Sequence, residues 1–273
     1  MSRIVGVHGI GSYHYYRRAR SVSGASEAIS ADWASWLASP VELSVAYYAH
    51  HLHRGVVQGD EDDPALLEPG AQELLVAWVE QLQPRAQVAL GPRTARARQA
   101  AEWLSRRFGR AARVAAIGFC REVHTYLAEP GSARRVAARE AVADVIEAQR
   151  PGVVVAHSLG SVVAYEAFWA RPELGVEVLV TLGSPLGMPG VVFERLRPAT
   201  GGRGARPPGV GRWVNLADVG DIVAVPRDLG ECFDGIDVHR SDLRIGEWDF
   251  HTVRGYLACP DTVEVLRPYL PRC

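Results

Sequence analysis

The apolar residues of this chain are grouped in short uninterrupted runs and in longer stretches with helical spacing. Runs at positions 2–7, 153–155 and 176–182 are typical of strands that are buried on both faces of a parallel sheet. Further strands are predicted where residues alternate at 41–48 and 235–240, and at 213–217. The six predicted strands begin near Arg3, Val41, Val153, Val176, Gly211 and Ile236. This order predicts an α/β fold with a doubly wound, mainly parallel sheet of about six strands, flanked by helices, in one domain of residues 1–273.

Helical spacing dominates the long interval between the second and third predicted strands. Apolar residues at 67–82 fall on one helix face that ends before Pro84, and positions 103–108 and 116–127 mark two more helices. A crossover between parallel strands needs only one helix, and residues 132–149 supply it. We therefore interpret residues from about 50 to about 130 as a helical insert in the core of the fold.

A serine stands where the third strand gives way to a helical pattern. Such a sharp turn strains Ser158 toward positive φ and requires small residues two positions before and after it, since those two residues crowd each other. Ala156 and Gly160 meet this requirement. A capping box would place Glu or Gln three residues after the serine, whereas position 161 is serine. The pattern favours a nucleophile turn over an ordinary helix cap.

A glycine-rich loop, HGIG at 8–11, follows the first strand, where its backbone N–H groups can approach a ligand. Its glycine spacing differs from the G-x-G-x-x-G of dinucleotide-binding folds. This loop and the AHSLG sequence at 156–160 together resemble the oxyanion loop and the nucleophile elbow of lipases and esterases of the α/β-hydrolase superfamily. The resemblance covers about the first fifty residues and the chain from about 150 onward.

The resemblance implies roles for particular residues. Ser158 would be the nucleophile, and the backbone N–H groups of Ile10 and Leu159 would form the oxyanion hole. The helical insert would cover the site as a cap, although a helical elaboration remote from the pocket would give the same pattern. His8 and His157 are expected to pack beside the two turns. We expect neither a cofactor nor a metal ion.

In this superfamily the acid and then the histidine follow the serine along the chain. After the fifth strand the main candidate acids are Asp218 and Asp221. We choose Asp221 because its surroundings resemble the family's pattern, and Asp218 remains an alternative. His239 lies within the alternating sixth strand, whereas His251 follows that strand, ahead of a helix with a tyrosine five residues on. The resemblance therefore implies Ser158, His251 and Asp221 as the catalytic residues.

These roles imply an acyl-enzyme and a small-molecule acyl substrate, which includes a carrier-bound acyl group. Water would resolve the intermediate in an esterase, lipase or thioesterase, and a second alcohol or amine would do so in an acyltransferase or cyclase. A non-catalytic ligand-binding protein of the same fold is a further alternative, and an amide substrate is not distinguished from an ester. Tyr13 and Tyr15, after the oxyanion loop, and Ser184, in a Gly-Ser-Pro turn, are candidate pocket residues; Ser184 also fits plain turn chemistry.

Charge gives no sign of a nucleic-acid partner. Lys+Arg number 30 against 31 Asp+Glu, and every cation is arginine, so the chain has no global positive field. We expect an arginine cluster to be a solvated helix face, with a docking surface for a phosphate-bearing carrier as the minor alternative. Its members are Arg93, Arg96, Arg98, Arg106, Arg107, Arg110 and Arg113.

Two further segments have unusual composition but are expected to be loops without a functional site. Histidines at 50, 51 and 53 and acids at 60–63 could suggest a metal site, but no pair has a convincing ligand spacing, so we expect an exposed loop. The Gly-, Pro- and Arg-rich residues 200–211 are expected to be a mobile loop.

The sequence also predicts a cytoplasmic protein without a membrane span. No run of about 18 apolar residues is present, and the chain enters its first strand without a signal-peptide pattern. Cysteines at 120, 232, 259 and 273 lack metal or redox spacing and are expected to be free thiols. The sequence does not predict an oligomeric state.

Overall fold

The computed structural model describes residues 3–37, 41–55, 63–82, 92–246 and 251–270. Its strands are β1 (Ile4–Val7), β2 (Leu43–Ala46), β3 (Val153–His157), β4 (Val176–Leu182), β5 (Gly204–Ala205), β6 (Val210–Asp218), β7 (Phe233–Asp234) and β8 (Val238–Leu243). Six of them form one sheet in the order β2-β1-β3-β4-β6-β8, and every pairing in it is parallel. The short strands β5 and β7 pair with each other outside this sheet. The predicted sheet of six strands is therefore confirmed.

Helices cover both faces of the sheet, which makes the fold doubly wound. They are α1 (Tyr13–Ala19), α2 (Val22–Trp36), α3 (Ala49–Leu52), α4 (Pro69–Leu82), α5 (Arg93–Phe108), α6 (Arg110–Leu127), α7 (Ala133–Gln149), α8 (Leu159–Ala170), α9 (Val253–Ala258) and α10 (Pro260–Leu266). None of the helices in the described ranges combines the length and apolar character that crossing a bilayer requires.

Two apolar cores explain why the strands are uninterrupted hydrophobic runs. One core contains residues of the five helices from α4 through α8 together with Val5 and Val154. The other contains residues of α2, α9 and α10 together with Ile4 and Val153. Successive residues of a strand point to opposite faces, so a sheet that is covered on both sides needs apolar residues at every position. Each predicted strand start lies within about two residues of the observed one.

The histidines at 50, 51 and 53 do not form an exposed loop, so that prediction is wrong. His50 and His51 lie in α3, and all three side chains are half-buried. The ring of His53 stacks on Tyr13 with 3.5 Å between the ring centroids. Burial, with a smaller effect of His51, lowers the pKa of His50 to about 4. The acids at 60–62 lie outside the residues that the structure describes. Among the described residues, no group of three or more potential metal ligands is found.

Residues 200–211 also differ from the loop that the sequence predicts. This segment contains β5 and the beginning of β6. Gly204 pairs with Phe233, and the guanidinium of Arg203 donates to Asp234 Oδ1 at 2.8 and 3.0 Å. Backbone pairing with a distant segment organises these residues, and their local composition does not indicate it.

The strand order reverses direction at β1. This strand pairs with β2 on one side and with β3 on the other, and later strands are added only beyond β3. In open parallel sheets ligands bind at the carboxyl ends of the strands at such a reversal. β1 ends at Val7 and β3 ends at His157, so the HGIG loop and Ser158 both begin at this edge of the sheet.

Candidate active site

Ser158 occupies the sharp turn between β3 and α8. Its φ of 54° and ψ of −131° are rare for residues other than glycine. The Ser158 N–H donates to the carbonyl oxygen of Leu182 on β4 at 3.0 Å. Leu159 begins α8, where the helix provides no acceptor for the first N–H groups. The strained serine conformation that the sequence predicts is confirmed, and its side chain is fully buried.

Two glycines allow the loop after β1 to pack against this turn. A Cβ atom on Gly160 would overlap with the carbonyl oxygens of Val7 and His8. A Cβ on Gly9 would lie 2.8 Å from the Cβ of Ser158, closer than side-chain atoms approach each other. The need for a small residue at 160 therefore arises from Val7 and His8, at the end of the neighbouring strand β1, and not from the crowding within the turn that the sequence predicts.

Ser158, His251 and Asp221 form one hydrogen-bonded series. Ser158 Oγ lies 2.9 Å from His251 Nε2, and His251 Nδ1 lies 2.8 Å from Asp221 Oδ2. Because an ionised carboxylate only accepts hydrogen bonds, Nδ1 carries the proton and Nε2 can accept from the serine hydroxyl. This tautomer is the one that can withdraw a proton from serine. The structure thus brings the three predicted residues together.

Asp221 is held in its ionised form. Its side chain is fully buried, its Oδ2 accepts from the Tyr256 hydroxyl at 2.6 Å, and its Oδ1 accepts from the Val223 N–H at 2.8 Å. Burial by itself raises the pKa of Asp221, but the adjacent His251 and these hydrogen bonds outweigh burial and hold the pKa below its ordinary value. Tyr256 is the tyrosine that the sequence places five residues after His251.

The two alternative residues have other partners. Asp218 accepts from the backbone N–H groups of Gly220 at 2.7 Å and Ile245 at 2.8 Å, and it thereby closes the loop after β6. His239 lies on β8, with its Nδ1 3.2 Å from Asn215 Nδ2. The geometry therefore favours Asp221 and His251 over Asp218 and His239.

His8 fixes the loop that carries Ile10. Its Nε2 accepts from the Tyr48 N–H at 3.1 Å, so its Nδ1 holds the proton and donates to the carbonyl oxygen of Gly9 at 2.8 Å. The imidazole stacks on the Tyr48 ring with 4.2 Å between the centroids. Burial lowers the pKa of His8 to about 4, which keeps the ring neutral near pH 7. His8 therefore does more than the packing that the sequence predicts.

The helical insert reaches this loop through a carboxylate. Glu122 on α6 accepts from the N–H of Gly11 at 2.8 Å. Burial raises the pKa of Glu122 to about 7, against the opposing effect of this hydrogen bond. Gly11 has a φ of 75° and directly follows Ile10, whose N–H is the predicted oxyanion donor. The insert is thereby bonded to the oxyanion loop.

The insert is also bonded to the loop that carries the acid. The indole Nε1 of Trp78, on α4, donates to the carbonyl oxygen of Ile222 at 2.7 Å. Both residues are buried, and Ile222 directly follows Asp221. The insert therefore contacts both the oxyanion loop and the loop that carries Asp221.

A cavity of about 480 Å³ lies beside His251. Its walls come from the oxyanion loop, α2, the α5–α6 junction and the start of α9, with His157 at the base of the turn. Most of its side chains are apolar, among them Ile29, Trp33, Trp36, Phe108, Ala112 and Val253. Tyr15 also lines the cavity, and its hydroxyl donates to Asp32 Oδ2 at 2.6 Å.

Tyr13 and Ser184 are not among the residues that line this cavity. The ring of Tyr13 stacks on His53 instead. Ser184 is buried in the turn after β4, where its Oγ lies 2.7 Å from Ser161 Oγ and accepts from the Leu186 N–H at 3.3 Å. Ser184 therefore has the turn role that the sequence analysis left open.

Exposed arginines of the insert take part in ion pairs with its own acids. Three pairs have N–O distances between 3.0 and 3.2 Å, and they join Arg93 to Glu73, Arg96 to Glu80, and Arg106 to Glu102. Exposed pairs of this kind contribute about 0–1 kcal/mol each. They agree with the solvated helix face that the sequence predicts.

The sequence did not reveal that Gly183 touches the acid and the histidine. This glycine follows β4 with a φ of 54°, and a Cβ on it would lie 3.1 Å from His251 Nδ1 and nearer still to Asp221. The Gly-Ser-Pro turn was visible in the sequence, but the residues packed against it come from later segments. Glu122 and Trp78 were likewise visible only as helix residues, since their partners are 111 and 144 positions away.

Comparisons with protein-family models, curated proteins and solved structures found no match to this chain.

Proposed function

We propose that this protein is a serine hydrolase of the α/β-hydrolase superfamily that cleaves a carboxylic ester or thioester through an acyl-enzyme on Ser158. The observation that carries the proposal is the series from Ser158 Oγ through His251 to Asp221, with distances of 2.9 and 2.8 Å. It lies at the carboxyl edge of the sheet, where β1 and β3 meet and where parallel sheets bind ligands. A strained nucleophile turn and a glycine-rich loop at the same edge add to it.

In the proposed reaction, His251 Nε2 takes the hydroxyl proton while Ser158 Oγ attacks the acyl carbonyl carbon. The carbonyl oxygen becomes an oxyanion that faces the N–H groups of Ile10 and Leu159. When the tetrahedral intermediate collapses, its bond to the leaving group breaks, and the leaving group takes the proton from His251. Water then attacks the acyl carbon while His251 takes its proton. The bond from the acyl carbon to Ser158 Oγ breaks, His251 returns the proton to Ser158, and the carboxylic acid is released.

Asp221 supports both proton transfers without itself accepting a proton. Its buried carboxylate holds Nδ1–H of His251 at 2.8 Å, which fixes the ring orientation and favours the imidazolium that forms as Ser158 attacks. The lowered pKa of Asp221 agrees with this role, because the acid stays ionised as His251 takes up a proton.

The cavity beside His251 indicates the class of acyl group. Its volume of about 480 Å³ lies within the usual range for small-molecule sites, roughly 300–1,000 Å³. Tryptophan, phenylalanine and aliphatic walls favour an uncharged apolar acyl chain or an aromatic acyl group. A carrier-bound acyl group and a cytoplasmic location remain predictions from the sequence.

Two alternatives use the same residues differently. In an acyltransferase or cyclase, a second alcohol or amine would take the place of water at the acyl-enzyme. In a non-catalytic ligand-binding protein, the cavity would be occupied without attack by Ser158. A test of the first step, acylation of Ser158, distinguishes an enzyme from a binding protein. Analysis of the products distinguishes hydrolysis from acyl transfer.

Labelling of the intact protein by a fluorophosphonate, followed by mass spectrometry, tests the first step. We expect one adduct, on Ser158, that is absent from Ser158→Ala and His251→Ala. Ser35→Ala, which removes an exposed hydroxyl on α2, should label like the wild type. A folded wild-type protein that remains unlabelled would contradict the proposal, as would an adduct that persists in Ser158→Ala. A panel of short and long esters and thioesters then identifies the acyl class.

A further inference from the structure

His157 contacts the backbone of the residue that supplies the base. Its Nε2 lies 3.1 Å from the carbonyl oxygen of His251, and the two ring centroids are 4.9 Å apart. A carbonyl oxygen can only accept, so Nε2 of His157 carries the proton and donates it to this bond. His157 thus hydrogen-bonds to the main chain of His251, while Ser158 and Asp221 hydrogen-bond to its side chain.

His157 is held by the central part of the sheet. It is the last residue of β3, an interior strand, and it pairs in register with Leu182 of β4. Its Nδ1 faces the oxyanion loop, since a Cβ on Gly9 would lie 3.0 Å from that atom. Only 7% of its surface is exposed. The ring therefore has fixed neighbours on the nucleophile turn, the oxyanion loop and the His251 loop.

The buried imidazole of His157 is uncharged. Burial, followed by the effect of His251, lowers the pKa of His157 to about 3. The ring stays neutral when His251 becomes an imidazolium, so it does not oppose the charge that forms in the proposed reaction.

We propose that His157 is a positioning residue: its Nε2–H bond to the His251 carbonyl sets the distance between His251 Nε2 and Ser158 Oγ. This inference rests on the proposed function, because it assigns His157 to the same reaction. It goes beyond the packing role that the sequence predicts, because it gives the ring a hydrogen bond that an apolar side chain of the same size could not make. Displacements of about 1 Å at such a site lower rates by about 100-fold.

The test compares three variants of the full chain. His157→Leu removes the donor and fills a similar volume, whereas the side-chain amide of His157→Gln can still donate to the carbonyl oxygen. His239→Leu is the matched control, since His239 is a half-buried strand histidine whose ring faces Asp228 and Asn215. For each variant, kcat and KM for the best ester, the fluorophosphonate labelling rate and the melting temperature are measured.

We expect His157→Leu to lower kcat and the labelling rate by about 10- to 100-fold with little change in KM. His157→Gln should recover most of this loss, and His239→Leu should retain the wild-type kcat even where its melting temperature falls. The NMR signal of the His251 Nδ1 proton should be sharp in the wild type and in His157→Gln, and broadened in His157→Leu.

Two outcomes would overturn the inference. One is wild-type kcat and a sharp Nδ1 proton signal in His157→Leu, and the other is a loss in His157→Leu that His157→Gln shares fully. If the wild-type protein itself takes up no fluorophosphonate, the proposed function fails first. A labelled wild type with an unaffected His157→Leu variant refutes only the role of His157.

Discussion

A Cβ atom on Gly183 would lie 2.6 Å from Asp221 Oδ2, inside the distance at which two such atoms can coexist. The same Cβ would lie 3.1 Å from His251 Nδ1, so Gly183 borders the hydrogen bond between the acid and the histidine. Its φ of 54° adds a backbone conformation that residues with a Cβ adopt at a cost. A glycine at this position is therefore a condition for the contact between Asp221 and His251.

Gly183→Ala should push Asp221 away from His251. We expect kcat/KM to fall by about 100-fold or more, because the histidine loses its orientation, and the free energy of unfolding to fall by roughly 1–3 kcal/mol from backbone strain. Kinetics on an activated ester and urea unfolding measure the two effects.

The control for this substitution is Gly118→Ala. Gly118 lies within α6 and has open space where a Cβ would stand, so alanine should leave activity unchanged and raise stability by up to about 1 kcal/mol. Equal activity in Gly183→Ala and Gly118→Ala would show that the contact between Gly183 and Asp221 is unimportant.

Asp221→Asn and Asp218→Asn separate the two candidate acids. Asp221→Asn keeps the shape but loses the charge that selects the His251 tautomer, so kcat should drop by roughly 10³- to 10⁴-fold. Asp218→Asn keeps an oxygen that can accept from Gly220 or Ile245, so kcat should stay within about 3-fold of the wild type. If Asp218→Asn were the more damaging substitution in steady-state kinetics, our assignment of the acid would be wrong.

Ala112→Phe tests whether the cavity holds the acyl group. Ala112 is buried and lines the cavity from α6, so a phenyl ring there would fill part of the space. The ratio of kcat/KM for long over short acyl esters should fall by about 10-fold or more. Val114→Phe places the same ring on the exposed side of α6 and should leave the ratio unchanged. An unchanged ratio in Ala112→Phe would place the acyl group elsewhere.

Buried neutral histidines should make the protein less stable in mild acid. The pKa of His8 is about 4 in the folded protein against 6.5 in the unfolded chain, so the unfolded chain binds more protons between these values. The stability that neutral His8 contributes is present above pH 6.5 and is lost as the pH falls toward 4, in total about 3 kcal/mol. His157, with a pKa of about 3, acts in the same direction.

Glu122 should oppose this trend. Its pKa is raised to about 7, so its contribution is present below the unfolded value of 4.5 and is lost as the pH rises through 7. Urea unfolding at pH 7 and pH 5 should therefore show a smaller acid-induced loss in His8→Gln and a larger one in Glu122→Gln than in the wild type. Identical pH dependence in all three proteins would refute both assignments.

Local patterns made the strands and the nucleophile turn predictable. The run 153–155 is apolar at every position because helices cover both faces of β3, and the small residues Ala156 and Gly160 mark the strand-to-helix turn at Ser158. The superfamily that the sequence resembles has the order serine, acid, histidine along the chain, and this order predicts Asp221 and His251. The structure places the two residues in contact.

The remaining features depend on contacts between distant segments. Trp78 donates to Ile222, 144 positions away, and His157 donates to His251, 94 positions away. The histidines at 50, 51 and 53 are predicted to lie in an exposed loop because no pair of them has a convincing ligand spacing. In the structure His50 stacks on Tyr16 and His53 stacks on Tyr13, and all three side chains are half-buried. Periodicity and composition carry no information on such pairings.

The attachment of the insert at two loops makes the core and the insert interdependent in folding. Removing the insert would take away the hydrogen-bond partners of the Ile222 carbonyl oxygen and the Gly11 N–H. It would also expose to water the apolar residues that pack around Trp78. Each Å² of apolar surface returned to water costs about 25 cal/mol, against a net stability of only about 5–15 kcal/mol for a domain. The insert is therefore no detachable module, and a shortened chain that retains only the sheet and its flanking helices is not a smaller working version of this protein.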